Sequence, residues 1–285
     1  MSSEPTLPSL AEIEAAAQVV YRAMPPTPQY RWALLSERLG ADCWVKHENH
    51  GPVGAFKLRG GLTFFDALAR RGQLPREVIS ATRGNHGQSI GWAARAHGVH
   101  CTIVVPRGNS LEKNAAMRAL GVELIEQGED FTAAAEHARR LADERGALLV
   151  PSFHRDLVLG VATYWWEFLR AVPQLDVAYV PIGLGSGACA AIAAKRALGH
   201  AVRIVGVAIS ATVSATRPAG RTTRSPAATT GTSTRAAESA LRSDSSAAGV
   251  GFSATWRAAA RTSGLAAPMS DSNPDADSSR PDQLT

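Results

Sequence analysis

Between residues 78 and 207 the hydrophobic period of the chain switches repeatedly between two and 3.6, and this alternation constrains the fold more than any other feature. Short runs rich in β-branched residues at 78–81, 101–105, 122–126 and 147–150 read as strands, separated by helical spacing at 85–97, 111–120 and 131–144. Strands that alternate with helices imply a parallel sheet joined by right-handed crossovers. Gly98, Gly121 and Gly146 each fall where a helix needs a left-handed stop before the next strand. A helix around 163–169, a strand at 177–182, a glycine loop, a helix at 188–198 and a strand at 203–207 continue the pattern. The fold class is α/β throughout.

The N-terminal flank feeds this core. Leu10, Ile13, Ala16, Ala17 and Val20 recur at helical spacing over 9–21, and Pro25, Pro26 and Pro28 end the run before an extended segment. A helix at 32–39 stops at Gly40, a short strand at 43–46 leads into a loop at 47–54, and 57–69 reads as a helix. Gly60 and Gly61 permit close packing of its first turns. After about Ser210 the text changes: residues 211–285 contain no Ile, Lys or Tyr and are dominated by Ala, Ser, Thr and Arg. No strand or amphipathic helix with a real apolar face can be drawn there, so the segment reads as a disordered or loosely packed tail. Two origins compete, a natural low-complexity tail and a coding sequence that left its ancestral frame near residue 209; the abruptness favours the second.

Composition removes several function classes. The net charge of +5 is spread over scattered Lys and Arg, so neither a nucleic-acid groove nor a membrane-surface patch is indicated, and a small-molecule partner is expected. Cys43, Cys101 and Cys189 are far apart and contain no C-x-x-C pair, which fits a reducing compartment, buried thiols and no structural zinc. Residues 1–8 lack a basic region followed by an apolar core, and no stretch approaches the roughly 20 apolar residues that span a bilayer. The chain reads as cytoplasmic.

Three segments carry chemistry. Gly54-Ala55-Phe56-Lys57-Leu58-Arg59-Gly60-Gly61 puts a lysine at the mouth of a helix, beside an aromatic ring and the cationic Arg59. There an amine has its ammonium form disfavoured and can act as nucleophile or base, although a lysine taken alone is more often a solvated surface residue. Thr82-Arg83-Gly84-Asn85-His86-Gly87-Gln88 lies at a strand-to-helix turn, where unpaired N–H groups suit a carboxylate; Asn85 could also be a simple helix cap. Pro181-Ile182-Gly183-Leu184-Gly185-Ser186-Gly187-Ala188 follows a strand and precedes a helix, so its N–H groups can converge on an anion. A dinucleotide fingerprint is the alternative there, but the loop comes late in the chain and lacks the six-residue spacing.

With Lys46-x-Glu48 upstream, the first segment resembles the K-x-E…G-S-F-K-x-R-G-A motif of the threonine/serine dehydratase family, the fold-type-II, tryptophan synthase beta-like pyridoxal-phosphate enzymes. Ala55 and Gly61 are mild departures. The second resembles S-x-G-N-H and the third the tetraglycine loop P-x-G-G-G-G-L, interrupted by Leu184 and Ser186. The ordered matches cover about the first 210 residues. The resemblance implies pyridoxal 5'-phosphate held on Lys57 as a Schiff base, with Phe56 near the ring, Asn85 on the ring hydroxyl, and Gly183, Leu184, Gly185, Ser186 and Gly187 around the phosphate. It implies that Thr82, Gly84, Asn85 and His86 take the substrate carboxylate. It further implies a large domain made of 1–69 and 150–210, a smaller one at 70–149, and a dimer or larger homo-oligomer.

The implied reaction is dehydration and deamination of threonine or serine to a 2-oxo acid and ammonia, with β-replacement, racemisation and 3-hydroxyaspartate dehydration as other chemistries of the fold. A partner subunit or damaged relative without activity is a further reading, because the S-G-G-N-like segment that meets the pyridine nitrogen in dehydratases does not occur in 211–285. Family racemases carry a proton-exchanging serine where this chain has Arg83, which reads either as a solvent-facing cation or as one that reaches an acidic substrate group. The family's G-Q-G-T is Gly160-Val161-Ala162-Thr163 here, and Ala208 stands where some members place a metal-binding Glu. His47, His50, His86, His97 and His100 show no ligand spacing on one helix, and no metal is expected.

Overall fold

The computed structural model describes residues 7–208, so the tail expected at 211–285 lies outside the described residues. Helix α1 (Leu10–Tyr21) opens on a capping box: the Glu12 N–H donates to Ser9 Oγ, and Glu12 Oε2 accepts from the Ser9 N–H at 2.8 Å. Strand β1 (Gln29–Arg31), helix α2 (Ala33–Leu39) and strand β2 (Trp44–Lys46) follow, and β1 and β2 pair antiparallel with Tyr30 opposite Val45. One 3-10 turn, Glu48–His50, leads to α3 (Lys57–Arg70).

The expected alternation is present as β3 (Glu77–Ala81), α4 (Asn85–Ala96), β4 (His100–Val105), α5 (Leu111–Ala119), β5 (Glu123–Glu126), α6 (Phe131–Arg145) and β6 (Leu148–Leu149). These strands form one parallel sheet in the order β5-β4-β3-β6. Gly98, Gly121 and Gly146 have φ of 66°, 83° and 62°, the left-handed stops that let each helix turn into the next strand. One face of the sheet packs Val78, Ile103 and Val105 against α3, α4 and α5; the other packs Ile79 and Val104 against Ala134, Ala138 and Ala142 of α6.

Helix α7 (Arg155–Ala171) starts well before the expected 163, and α8 (Ser186–Ala197) starts two residues inside the segment expected to be loop. Strands β7 (Val177–Pro181) and β8 (Arg203–Val207) pair in parallel, and with α1, α7 and α8 they enclose a second core built on Ile13, Trp165, Phe168 and Ala191. Among the described residues, no helix is long and apolar enough to cross a membrane.

Glycine sets the distance between the two cores. A Cβ on Gly60 would stand 2.7 Å from the Leu157 carbonyl oxygen, and one on Gly160 would overlap the Arg59 carbonyl. Helices α3 and α7 therefore touch backbone to backbone. Gly61 makes the same close approach to Ser89 of α4, where a Cβ would lie 2.7 Å from the Ser89 carbonyl oxygen. The packing role read for Gly60 and Gly61 is thus met from two sides. Its consequence is that the first turn of α3 is held between α4 and α7.

Candidate active site

Lys57 is the first residue of that clamped turn. Its carbonyl accepts a hydrogen bond from Ser89 Oγ at 2.6 Å, and its Nζ donates to Ser186 Oγ at 2.8 Å, across to the start of α8. Nζ also lies 5.8 Å from the centroid of the Phe56 ring. Burial pushes the amine down from 10.5 to about 8. The expectation that Arg59 supplies a cationic neighbour needs correction: Arg59 points to the opposite side of α3 and is fully paired with carboxylates, so desolvation is what disfavours the ammonium.

The glycine loop approaches Lys57 from the other side. Gly185 caps α8 in the left-handed region at φ 93°, which only glycine adopts without strain, and its carbonyl accepts the Cys189 N–H. The first N–H groups of α8 have no acceptor within the helix. A Cβ added at Gly183 or Gly185 would meet nothing within 4 Å, so packing does not demand glycine there, and the space beside the loop is open. Gly187 instead faces Phe56, whose Cζ would be 3.5 Å from an added Cβ, and Phe56 in turn leans on Tyr164 at 5.7 Å between centroids. Ser186 is buried, whereas Leu184 is exposed.

The third wall is the turn between β3 and α4. The Thr82 N–H donates to the Val104 carbonyl, and the Gly84 N–H folds back onto Thr82 Oγ1 at 3.0 Å. His86 is buried, and among the described residues its Nε2 has no hydrogen-bond partner. Burial, and secondly the Lys57 charge, pull His86 down to about 3, so its ring is neutral at pH 7. That coupling places His86 within electrostatic range of Lys57. Asn85 is exposed at the first position of α4.

Sequence reasoning missed what lies behind Lys57. The guanidinium of fully buried Arg59 donates to Glu48 from Nε at 2.8 Å and Nη2 at 3.0 Å, to Thr163 Oγ1 at 2.9 Å, and to both oxygens of Glu167. Lys46 Nζ completes the set with bonds to Glu167 Oε2 at 2.6 Å, the Thr27 carbonyl at 2.7 Å and Gln29 Oε1 at 3.0 Å. Two cations and two carboxylates thus form a neutral buried network. Lys46, Glu48 and Arg59 are the charged letters of the first motif, but Glu167 lies more than a hundred residues away, and no local spacing signals it.

Two other clusters lie outside this cleft. Glu77, His100 and Glu123 bring three ligand-type atoms within 4.8 Å of one another at the N-terminal ends of their strands. Arg145 Nη1 stands 3.0 Å from Glu77 and 3.2 Å from Glu123, so a guanidinium already supplies the positive charge there. That hydrogen bond, with one from His100, holds Glu123 down to about 2. His47 and His50 pack at tilted angles in a group with Tyr30 and Trp32, with ring centroids 5.2 to 5.7 Å apart.

The architecture and cleft agree with what comparison with known proteins finds. A family described as "Pyridoxal-phosphate dependent enzyme" matches residues 20–271. The chain belongs to that family. It is 35% identical over 198 residues to a threonine dehydratase of Nicotiana attenuata, an alignment covering 68% of this chain and 32% of the relative. It is 32% identical over 202 residues to an L-threo-3-hydroxyaspartate ammonia-lyase of Saccharomyces cerevisiae, covering 70% and 62%. Among solved structures, a pyridoxal 5'-phosphate-dependent aspartate racemase superposes with a TM-score of 0.68 at 26% identity, covering 71% of this chain and 64% of that one. The chain thus spans only about a third of the Nicotiana relative's length and less than two thirds of the yeast relative's.

The chain has the fold-type-II architecture of that family, and its residues fit pyridoxal phosphate. An amine with a depressed pKa stands beside an open glycine loop at a helix N-terminus, and an unpartnered buried His86 Nε2 lies close by. One pH dependence follows. Were Lys57 the amine that captures pyridoxal phosphate, the capture rate, followed by visible absorbance, would rise through a midpoint near pH 8 rather than 10.5, since capture requires the neutral amine. A midpoint near 10.5 would show that Lys57 is not the residue captured.

Proposed function

We propose that this chain dehydrates and deaminates a β-hydroxy amino acid, of which threonine and serine are the simplest, to a 2-oxo acid and ammonia. The observation that carries the reading is the Lys57–Ser186 hydrogen bond of 2.8 Å, which joins the motif lysine to the glycine loop across the cleft. In this reading Lys57 holds the cofactor covalently, Phe56 and Asn85 lie along its ring, and Gly183, Leu184, Gly185, Ser186 and Gly187 hold its phosphate. Thr82, Gly84, Asn85 and His86 take the substrate carboxylate. Residues 70–149 act as the smaller domain against 1–69 and 150–210.

When bound, pyridoxal phosphate supplies an electron-withdrawing ring that accepts the charge left as the α-proton departs. The remaining work falls to the chain. The Lys57 amine, neutral over a useful fraction of time at pH 7 to 8, takes the proton from the substrate α-carbon. Ser186 Oγ accepts a hydrogen bond from Nζ and so fixes where that amine sits. The neutral imidazole of His86 orients the carboxylate without adding a positive charge that would raise the cost of deprotonating Lys57. The N–H groups at the start of α8 bind an anion.

Incubating the full chain with pyridoxal phosphate and threonine, serine or 3-hydroxyaspartate, and measuring ammonia and 2-oxo acid together, tests the reading. Equimolar release of both products is expected. Formation of the opposite enantiomer or of a new amino acid, without ammonia, would assign another reaction of the fold.

A further inference from the structure

We infer that Arg83 and Lys113 form a second anion subsite beside the Thr82–His86 turn, which selects β-hydroxy amino acids carrying a side-chain carboxylate. The inference rests on the proposed reading of that turn as the α-carboxylate site, and it deepens that reading. Three observations carry it. Arg83 is the exposed cation in a turn whose neighbours Thr82, Gly84 and His86 are all buried. The stem of Lys113 lies against Gly84, so that a Cβ there would overlap Lys113 Cδ and stand 3.3 Å from Cε. The Lys113 ammonium is therefore one bond beyond an atom in contact with the residue that follows Arg83. Among the described residues, neither side chain has a hydrogen-bond or ion-pair partner.

The placement of Lys113 is built into α5. Ser110 caps the Lys113 N–H, and the next residue, Asn114, is fully buried, accepting from Asn109 Nδ2 at 2.6 Å and donating to Glu126 at 3.1 Å. These bonds fix the first turn of α5 and with it the Lys113 stem over Gly84. Both cations are carried next to Gly84, one by the preceding residue and one by the stem packed on it, and an anion bound at that turn is attracted by both. A substrate whose first carboxylate takes the turn's N–H groups would bring a second carboxylate, one or two carbons away, to Arg83 and Lys113. A guanidinium can bind it through two parallel hydrogen bonds. Threonine and serine offer that pair of cations nothing.

The test is a binding comparison with L-malate and L-lactate, which differ by the second carboxylate, on the full chain by calorimetry, with and without pyridoxal phosphate. Malate is expected to bind about tenfold or more tightly than lactate, the scale of one charge-assisted hydrogen bond. Arg83→Ala and Lys113→Ala are each expected to cut that preference to about threefold or less, and Arg83→Lys to keep part of it. Arg95→Ala, which removes the same charge at the opposite end of α4, is expected to leave it intact. Equal affinities in the unaltered chain, a preference that survives both substitutions, or one that Arg95→Ala removes equally would overturn the subsite. Because the comparison is repeated without cofactor, a chain that fails to capture pyridoxal phosphate but still prefers malate would refute the proposed reaction and leave the subsite standing.

Discussion

Replacing Lys57 with alanine is expected to abolish the visible absorbance of the cofactor-loaded chain and to lower 2-oxo acid formation by at least about a thousandfold, the scale of losing a group that moves the reacting proton. The fold is expected to survive. Helix α3 needs no lysine at its first position for packing, since Ser89 bonds the Lys57 carbonyl, which any residue supplies. Stability should even rise in a variant that keeps the stem. The folded amine titrates near 8 and the unfolded one near 10.5, so between those values the unfolded chain binds more protons. The cost to the fold is fully present below about 8 and is relieved as pH climbs toward 10.5. Lys57→Met in the cofactor-free chain should accordingly be more stable at pH 7, by on the order of 3 kcal/mol, with the gain fading above pH 8. Full activity in Lys57→Ala would remove the residue from the mechanism, and a Met variant no more stable than its parent at pH 7 would show that the amine is not desolvated.

Much of the fold was legible because the sheet at 77–149 is made from short strands of period two, helices of period 3.6 and left-handed glycines between them. Those signals are local. What could not be read was set by contacts between distant segments. The first turns of α7 are buried all round, with Asp156, Gly160 and Thr163 on the side opposite Leu157, Val158, Val161 and Ala162, so polar and small residues interrupt the helical signal and the pattern reads as a helix only near 163. Ser186 and Gly187 have the composition of a loop, yet the packing of Gly187 on Phe56 and the burial of Ser186 draw them into the first turn of α8.

Site residues divide in the same way. Lys57 and the glycine loop stood out by residue type and order, and the structure joins them directly through Ser186. His86 was marked by its motif, but the reason its imidazole stays neutral, complete burial beside the Lys57 amine, depends on tertiary structure. Ser89 and Lys113 carry no motif. Each matters because a glycine opposite it, Gly61 or Gly84, leaves room for its approach, and such pairings between separate helices and turns have no periodicity to betray them.

Breaking the buried network behind Lys57 is expected to cost stability where the lysine substitution does not. Glu167→Gln leaves Arg59 and Lys46 with one carboxylate, Glu48, between them, and Arg59→Met leaves Glu48 and Glu167 with one cation, Lys46. An uncompensated charge in such a site costs about 3–5 kcal/mol, a large share of the roughly 5–15 kcal/mol that holds a domain together. Both single variants should therefore shift the denaturation midpoint sharply. The double variant Arg59→Met, Glu167→Gln retains Lys46 and Glu48 as a balanced pair, so its loss should fall short of the sum of the singles by more than about 1 kcal/mol. The pH dependence has a defined sign. Burial alone would raise Glu167, but the Arg59 hydrogen bond and charge overcome it and hold the carboxyl below its ordinary 4.5. Its contribution is complete above 4.5 and is lost as pH falls through the lowered folded value, so the gap between parent and Glu167→Gln should narrow in acid. Denaturant titrations of the four proteins at neutral and acid pH measure all of this. Single variants within about 1 kcal/mol of the parent, or losses that simply add, would mean that Arg59 and Glu167 are separately solvated and that the charged letters of the Lys57 motif do not hold α3 against α7.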